Sequence, residues 1–155
     1  MKLSFLTLSC LAFAVTATPV KLNFVEGDAP LEKRASETVY LSNCNILGTP
    51  VYSQINYYSN GANSQNGEQP DDTCYYPLSG YVNWEGNVVS CSFSGGATFT
   101  SHIDTDAQSR ALYTYAGWGT NPYHSFNCYK DNFRLLYKFG SYPVTCYSVY
   151  YCRQA

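Results

Sequence analysis

Apolar positions follow three regimes along this 155-residue chain. Residues 3–15 are apolar with only Ser and Thr between them, and residues 18–34 mix Pro, Gly, Glu and Asp without period. Beyond Ala35, short aromatic and β-branched runs are separated by clusters of Gly, Asn, Asp, Ser and Pro. In the run 97–103, Phe99 and Ser101 alternate with Thr98 and Thr100. That period of two belongs to a half-buried strand. The same reading predicts strands at 39–44, 51–58, 81–85, 88–93, 125–129, 134–139 and 145–152. Gly86-Asn87 predicts a tight hairpin between 81–85 and 88–93, and Ser59-Asn60-Gly61 a turn after the second strand. The polar run 60–72 predicts a loop. Over 104–115, Ala107, Arg110, Ala111 and Tyr115 fall near a 3.6 period. One or two helical turns are expected there, capped by Asp104 or Thr105 and stopped by Gly117 and Gly119. The fold class expected is all-β with at most one short helix. It is a compact antiparallel sandwich or small barrel, with a Greek key among its forms.

Composition assigns the regimes to compartments. Met1-Lys2, the apolar stretch and the small residues ending at Ala17 have the form of a signal peptide, too short for a membrane span of about 20 residues. Lys33-Arg34 closes a pro-segment at the dibasic pair that a kexin-type protease cuts. The expected organisation is therefore 1–17 signal peptide, 18–34 pro-segment and 35–155 a single exported β domain. All 16 tyrosines and both tryptophans lie in that last part. It carries five basic residues against eight acidic ones, a formal balance of −3. So sparse and acidic a surface disfavours nucleic acid as a partner.

Cys10 leaves with the leader, and Cys44, Cys74, Cys91, Cys128, Cys146 and Cys152 remain. An even count in a small exported chain argues for three disulfides, with 15 possible connectivities. Short hairpin-like loops suggest Cys74 with Cys91 and Cys128 with Cys146, leaving Cys44 with Cys152 to tie the termini. Zinc fits poorly, because no Cys-x2-Cys pair occurs and His102 and His124 lack ligand spacing to any cysteine. Asp71-Asp72-Thr73 and Asp104-Thr105-Asp106 offer oxygen ligands without the continuation of an EF-hand loop. No cofactor or metal is expected.

No nucleophile elbow, zinc-protease helix, phosphate loop or dinucleotide fingerprint occurs. Glu85, His102, His124, Arg110 and Arg134 are the scarce groups suited to acid–base chemistry and phosphate clamping. Their inventory is similar to that of the guanyl-specific fungal ribonucleases, which use a Glu base, a His acid and an Arg. The order differs, since that family's acid His follows its Arg strand and no His follows Arg134. The most site-like stretch is 113–123, where Tyr113, Tyr115, Trp118 and Tyr123 accompany Gly117, Gly119 and Asn121-Pro122. Trp118 is expected on a loop, as a binding aromatic.

Leader, dibasic pro-segment, six cysteines and segments such as Val39-Tyr40-Leu41-Ser42-Asn43-Cys44, Phe126-Asn127-Cys128-Tyr129 and Tyr147-Ser148-Val149-Tyr150-Tyr151-Cys152 together resemble the small secreted cysteine-rich proteins of filamentous fungi. That resemblance implies an effector-like, non-enzymatic protein. It would bind an extracellular protein or a cell-wall glycan of a host or competitor, without a stable membrane anchor. Two alternatives stand beside it. One is the ribonuclease; the other is a killer-toxin-like βγ-crystallin fold, suggested by the echo of Cys74-Tyr75…Gly86 in Cys128-Tyr129…Gly140.

Overall fold

The computed structural model describes residues 36–61, 63–76, 80–141 and 143–155. Ala17 and the Lys33-Arg34 pair lie outside the described residues. Within them the protein is all-β and antiparallel, with nine strands: β1 (Thr38–Ile46), β2 (Thr49–Tyr58), β3 (Asp72–Tyr75), β4 (Val88–Ser92), β5 (Thr98–Ile103), β6 (Tyr115–Thr120), β7 (Ser125–Lys130), β8 (Leu135–Phe139) and β9 (Val144–Gln154). They form one sheet in the order β3-β2-β1-β9-β7-β6-β5-β4, with β8 paired to β9 off that path. Twist carries the two edge strands toward each other. They meet at the Cys74–Cys91 disulfide, whose Cα atoms are 5.9 Å apart. The barrel is thus nearly closed, and its seam is a covalent bond in place of a strand ladder.

Asp72 adds to that seam. From the end of β3 its carboxylate accepts the Ser94 hydroxyl at 2.8 Å and the backbone N–H groups of Ser94 and Gly95 at 3.4 Å. The Tyr76 hydroxyl donates to the Ser90 carbonyl across the same gap.

Alternating residues fill the barrel with Val39, Leu41, Ile55, Phe99, Ile103, Phe126 and Tyr150. Burying each such side chain contributes roughly 1.5–3 kcal/mol. Trp84 plugs the interior and donates its indole N–H to Asn43 Oδ1 at 3.2 Å. A second apolar cluster of Tyr40, Tyr58, Leu136, Tyr137 and the Cys44–Cys146 bridge lies on the opposite face of β1 and β9. Tyr137, on β8, reaches across β1 to donate to Gln54 Oε1 at 2.8 Å and Asn56 Oδ1 at 3.0 Å on β2. Core on both faces explains why β1 is a nearly continuous run of buried residues where an alternating strand would be expected.

Several expectations are corrected. The 104–115 segment is not an α-helix but a single 3-10 turn at Ala107–Ser109. Arg110 binds Asp104 at 2.8 Å and Asp106 at 2.5 Å, and this clamp replaces helical hydrogen bonds. Asp104 caps nothing with its side chain; the residue at the cap position is Asp106, which makes no side-chain cap bond. Residues 81–85 form no strand and Gly86-Asn87 no hairpin, because Trp84 turns inward and Glu85 makes a single parallel bridge to Ile103. β3 and β6 were not anticipated. Two disulfides also differ from the expected pairs. Antiparallel register places Cys44 opposite Cys146 and Cys128 opposite Cys152, and those are the bonds formed. Loop length misleads here because β8 intervenes between β7 and β9. Only Cys74–Cys91 forms as expected. The internal echo has no structural counterpart, since Cys74 and Cys91 join opposite sheet edges while Cys128 and Cys146 bind separate partners.

Candidate functional site

Gly117 and Gly119 interrupt no element; both occupy inward positions of β6. A Cβ on Gly119 would collide with the ring of Phe99, and one on Gly117 with the His102 carbonyl oxygen. Gly117 also has φ +144°, and the register shifts between Tyr115 and Gly117. The bulged strand packs closely on β5 because those side chains are missing. Trp118, between them, therefore points outward from a regular strand, not from a loop. It pairs with His102 in the β5–β6 register, and the two rings stack with centroids 3.8 Å apart at 13°. Trp118 nonetheless keeps 45% of its surface in solvent.

Register extends this position into a patch. Trp118 faces Asn127 on β7, and Asn127 faces Arg153 on β9. One step along, Tyr115 faces Tyr129 and Tyr129 faces Tyr151. Their rings are 6.2 Å and 5.4 Å apart, and Tyr151 continues to Tyr40 at 6.4 Å. Two parallel rows thus run across the outer face of β6, β7 and β9. One carries Trp118, an amide and a guanidinium, and the other three tyrosines. Neighbouring strands are about 4.8 Å apart, so each row spans about 10 Å.

The rows end at a cleft of about 270 Å³ lined by Tyr113, Asp131, Asn132, Arg134, Tyr151 and Arg153 with Tyr40. Arg134 is committed there. Its guanidinium donates to Asp131 Oδ2 at 3.2 Å, the Ser64 carbonyl at 3.2 Å and the Tyr40 hydroxyl at 2.8 Å. The Arg153 guanidinium lies 5.2 Å from the Tyr151 ring centre.

The four aromatic residues singled out in the sequence are all exposed. They do not form one group. Tyr115 and Trp118 share the patch, and Tyr113 lies at its far end in the cleft. Tyr123, the most exposed at 75%, lines a different cleft of about 370 Å³ with Glu37, Tyr57, Asp71, Asp72 and Phe93. Burial, then the Glu37 carboxylate that the Tyr57 hydroxyl contacts, then Asp71, push the Tyr57 phenol up to about 12.

The acid–base candidates are dispersed. Glu85 accepts Gln108 Nε2 at 2.8 Å and the Tyr150 hydroxyl. Burial, followed by that carboxylate, raises the Tyr150 pKa. His102 is against Trp118, and His124 lies 3.7 Å from Glu37 and 3.0 Å from Gln154 Nε2. Arg110 is held by Asp104 and Asp106, and Arg134 by Asp131. No hydrogen bond among the described residues joins Glu85 to either histidine or either arginine. Among the described residues no group of three His, Cys, Asp or Glu is placed to hold a metal, and no helix is long and apolar enough to cross a membrane.

Tyr129, Tyr151, Asn127 and Arg153 escaped the sequence reading. Their signal was the alternation of Tyr151 and Arg153 with Tyr150 and Cys152, and of Asn127 and Tyr129 with Phe126 and Cys128, which shows two faces without saying which is outside. Comparison with known proteins finds no matching family model, no matching curated protein and no matching solved structure.

Proposed function

We propose that the protein is an exported, non-enzymatic, effector-like recognition module that holds a cell-wall glycan on the outer face of β6, β7 and β9. The observation that carries this reading is Trp118, exposed at mid-strand and immobilised against His102. A flat ring fixed before binding offers an apolar face to a sugar at little entropic cost. The hydroxyls of Tyr115 and Tyr129 and the amide of Asn127 supply the polar edge that sugar hydroxyls require. Three disulfides suit an oxidising compartment, and dispersal of the acid–base groups supports binding over catalysis. The test is depletion of the oxidised protein from solution by insoluble glucan, chitin and plant cell-wall fractions. Trp118→Ala, with an unchanged thermal midpoint, should weaken retention about 30-fold, the loss of a binding hot spot of about 2 kcal/mol. Equal retention of the variant, or no retention of the parent on any fraction, overturns the reading. Mass spectrometry of the exported protein should find Ala35 at its N-terminus.

A further inference from the structure

The cleft at the end of the two rows differs in chemistry from the rest of the patch. Of its two guanidiniums, Arg134 spends its donors on Asp131, Ser64 and Tyr40, and Asp131 is buried beneath it. That pair is neutral and structural. Arg153 stands differently. Among the described residues no carboxylate pairs with it, and its one aromatic contact is the face of Tyr151. In a domain carrying eight acidic groups against five basic ones, a guanidinium with no carboxylate partner at the mouth of a cleft has the chemistry to receive an anionic group.

The cleft walls are built to hold a shape. Tyr113 has φ 64° and Phe133, between Asn132 and Arg134, has φ 59°. Both are bulky residues in left-handed backbone, a conformation that persists only where surroundings over-determine it. Here the Tyr113 N–H donates to the Lys130 carbonyl at 2.8 Å, Asp131 N–H to Val149 at 2.9 Å and Ser148 N–H to Arg134 at 2.9 Å. These bonds pin both turns to the end of β7 and the middle of β9, so that Tyr113 and Arg134 line the same cleft as Tyr151 and Arg153.

We infer that this cleft is a subsite for a carboxylate-bearing sugar, a uronic acid residue of an acidic polysaccharide, whose carboxylate pairs with Arg153 while its ring lies against Tyr151 and Tyr113. The inference rests on the glycan reading above and gives it a substrate class. A volume of about 270 Å³ suits one sugar ring. One uncommitted guanidinium matches one carboxylate, whereas a phosphate ester would call on several donors converging on three oxygens. The row Trp118–Asn127–Arg153 leads from the neutral platform to the charged end over about 10 Å, a distance a short oligosaccharide covers.

The experiment is calorimetric titration of the oxidised full-length domain with oligogalacturonate and oligomannuronate hexamers, and with the same oligomers after reduction of their carboxyl groups to alcohols. At least one acidic oligomer should bind about tenfold or more tightly than its reduced form, and the advantage should shrink as salt rises. Arg153→Gln should abolish the difference while retaining the affinity for the reduced oligomer. Arg153→Lys should recover only part of it, because an ammonium lacks the bidentate fork. Equal affinity for acidic and reduced oligomers, or an acid preference that survives Arg153→Gln, overturns the uronate subsite. In that case Trp118-dependent binding of the reduced oligomers would leave the glycan reading standing; absence of binding by every oligomer removes the subsite, and the cell-wall fractions then decide the glycan reading separately.

Discussion

At the scale of the residue, the site is made by side chains that are absent. Gly119 gives its space to the Phe99 ring and Gly117 gives its space to the His102 carbonyl, so β5 and β6 close up and His102 meets Trp118. Gly119→Ala is expected to destabilise the domain by about 1–3 kcal/mol through overpacking of a buried ring. Gly117→Ala should cost more, because rigid backbone blocks the Cβ and φ +144° disfavours any side chain. Urea midpoints of both variants measure this. If both melt like the parent, the glycines do not set the strand spacing.

At the scale of the element, the seam between β3 and β4 is the barrel's distinctive join. Cys74–Cys91 closes a loop with a sequence separation of 17, and loop entropy assigns such a bridge about 3 kcal/mol. The Cys74→Ser/Cys91→Ser double variant should lose about that much, with faster amide exchange concentrated in β3 and β4. Uniform exchange across all strands would show that the seam is not a separate unit. Asp72 makes the same join pH-sensitive. Burial alone would raise its pKa, but hydrogen bonds from the Ser94 hydroxyl and the N–H groups of Thr73, Gly95 and Ser94 outweigh it and leave the carboxyl below its ordinary 3.8. A depressed folded pKa means that this contribution is complete above about pH 4 and is lost as pH falls through the folded value. Denaturant midpoints taken from pH 7 to pH 2 should therefore fall more steeply for the parent than for Asp72→Asn. Parallel profiles would refute the assignment.

At the scale of the whole molecule, β9 is the spine. It pairs with β1 and β7, carries β8 as well, and is bridged to β1 by Cys44–Cys146 and to β7 by Cys128–Cys152. Those four cysteines are fully buried, whereas Cys91 is reached by solvent. Mild reduction followed by alkylation should label Cys74 and Cys91 before any other pair, and the intermediate should remain folded. Simultaneous labelling of all six would mean that the three bridges open only with the barrel.

Strand-forming runs at β1, β2, β4, β5, β7, β8 and β9 were legible in the sequence because residue type and period two are local properties. So was the candidacy of Tyr115 and Trp118 as binding aromatics, in a stretch where Gly117 and Gly119 flank Trp118. The neighbours of those residues were not legible. Asn127, Tyr151 and Arg153 join Trp118 only because β9 lies next to β7 and β7 next to β6, and strand order depends on pairings between segments far apart in the chain. The same dependence decided two of the three disulfides. Local sequence determined that this is a tyrosine-rich, crosslinked β protein; register and strand order, which arise only when distant segments bury their faces together, decided which side chains share a surface.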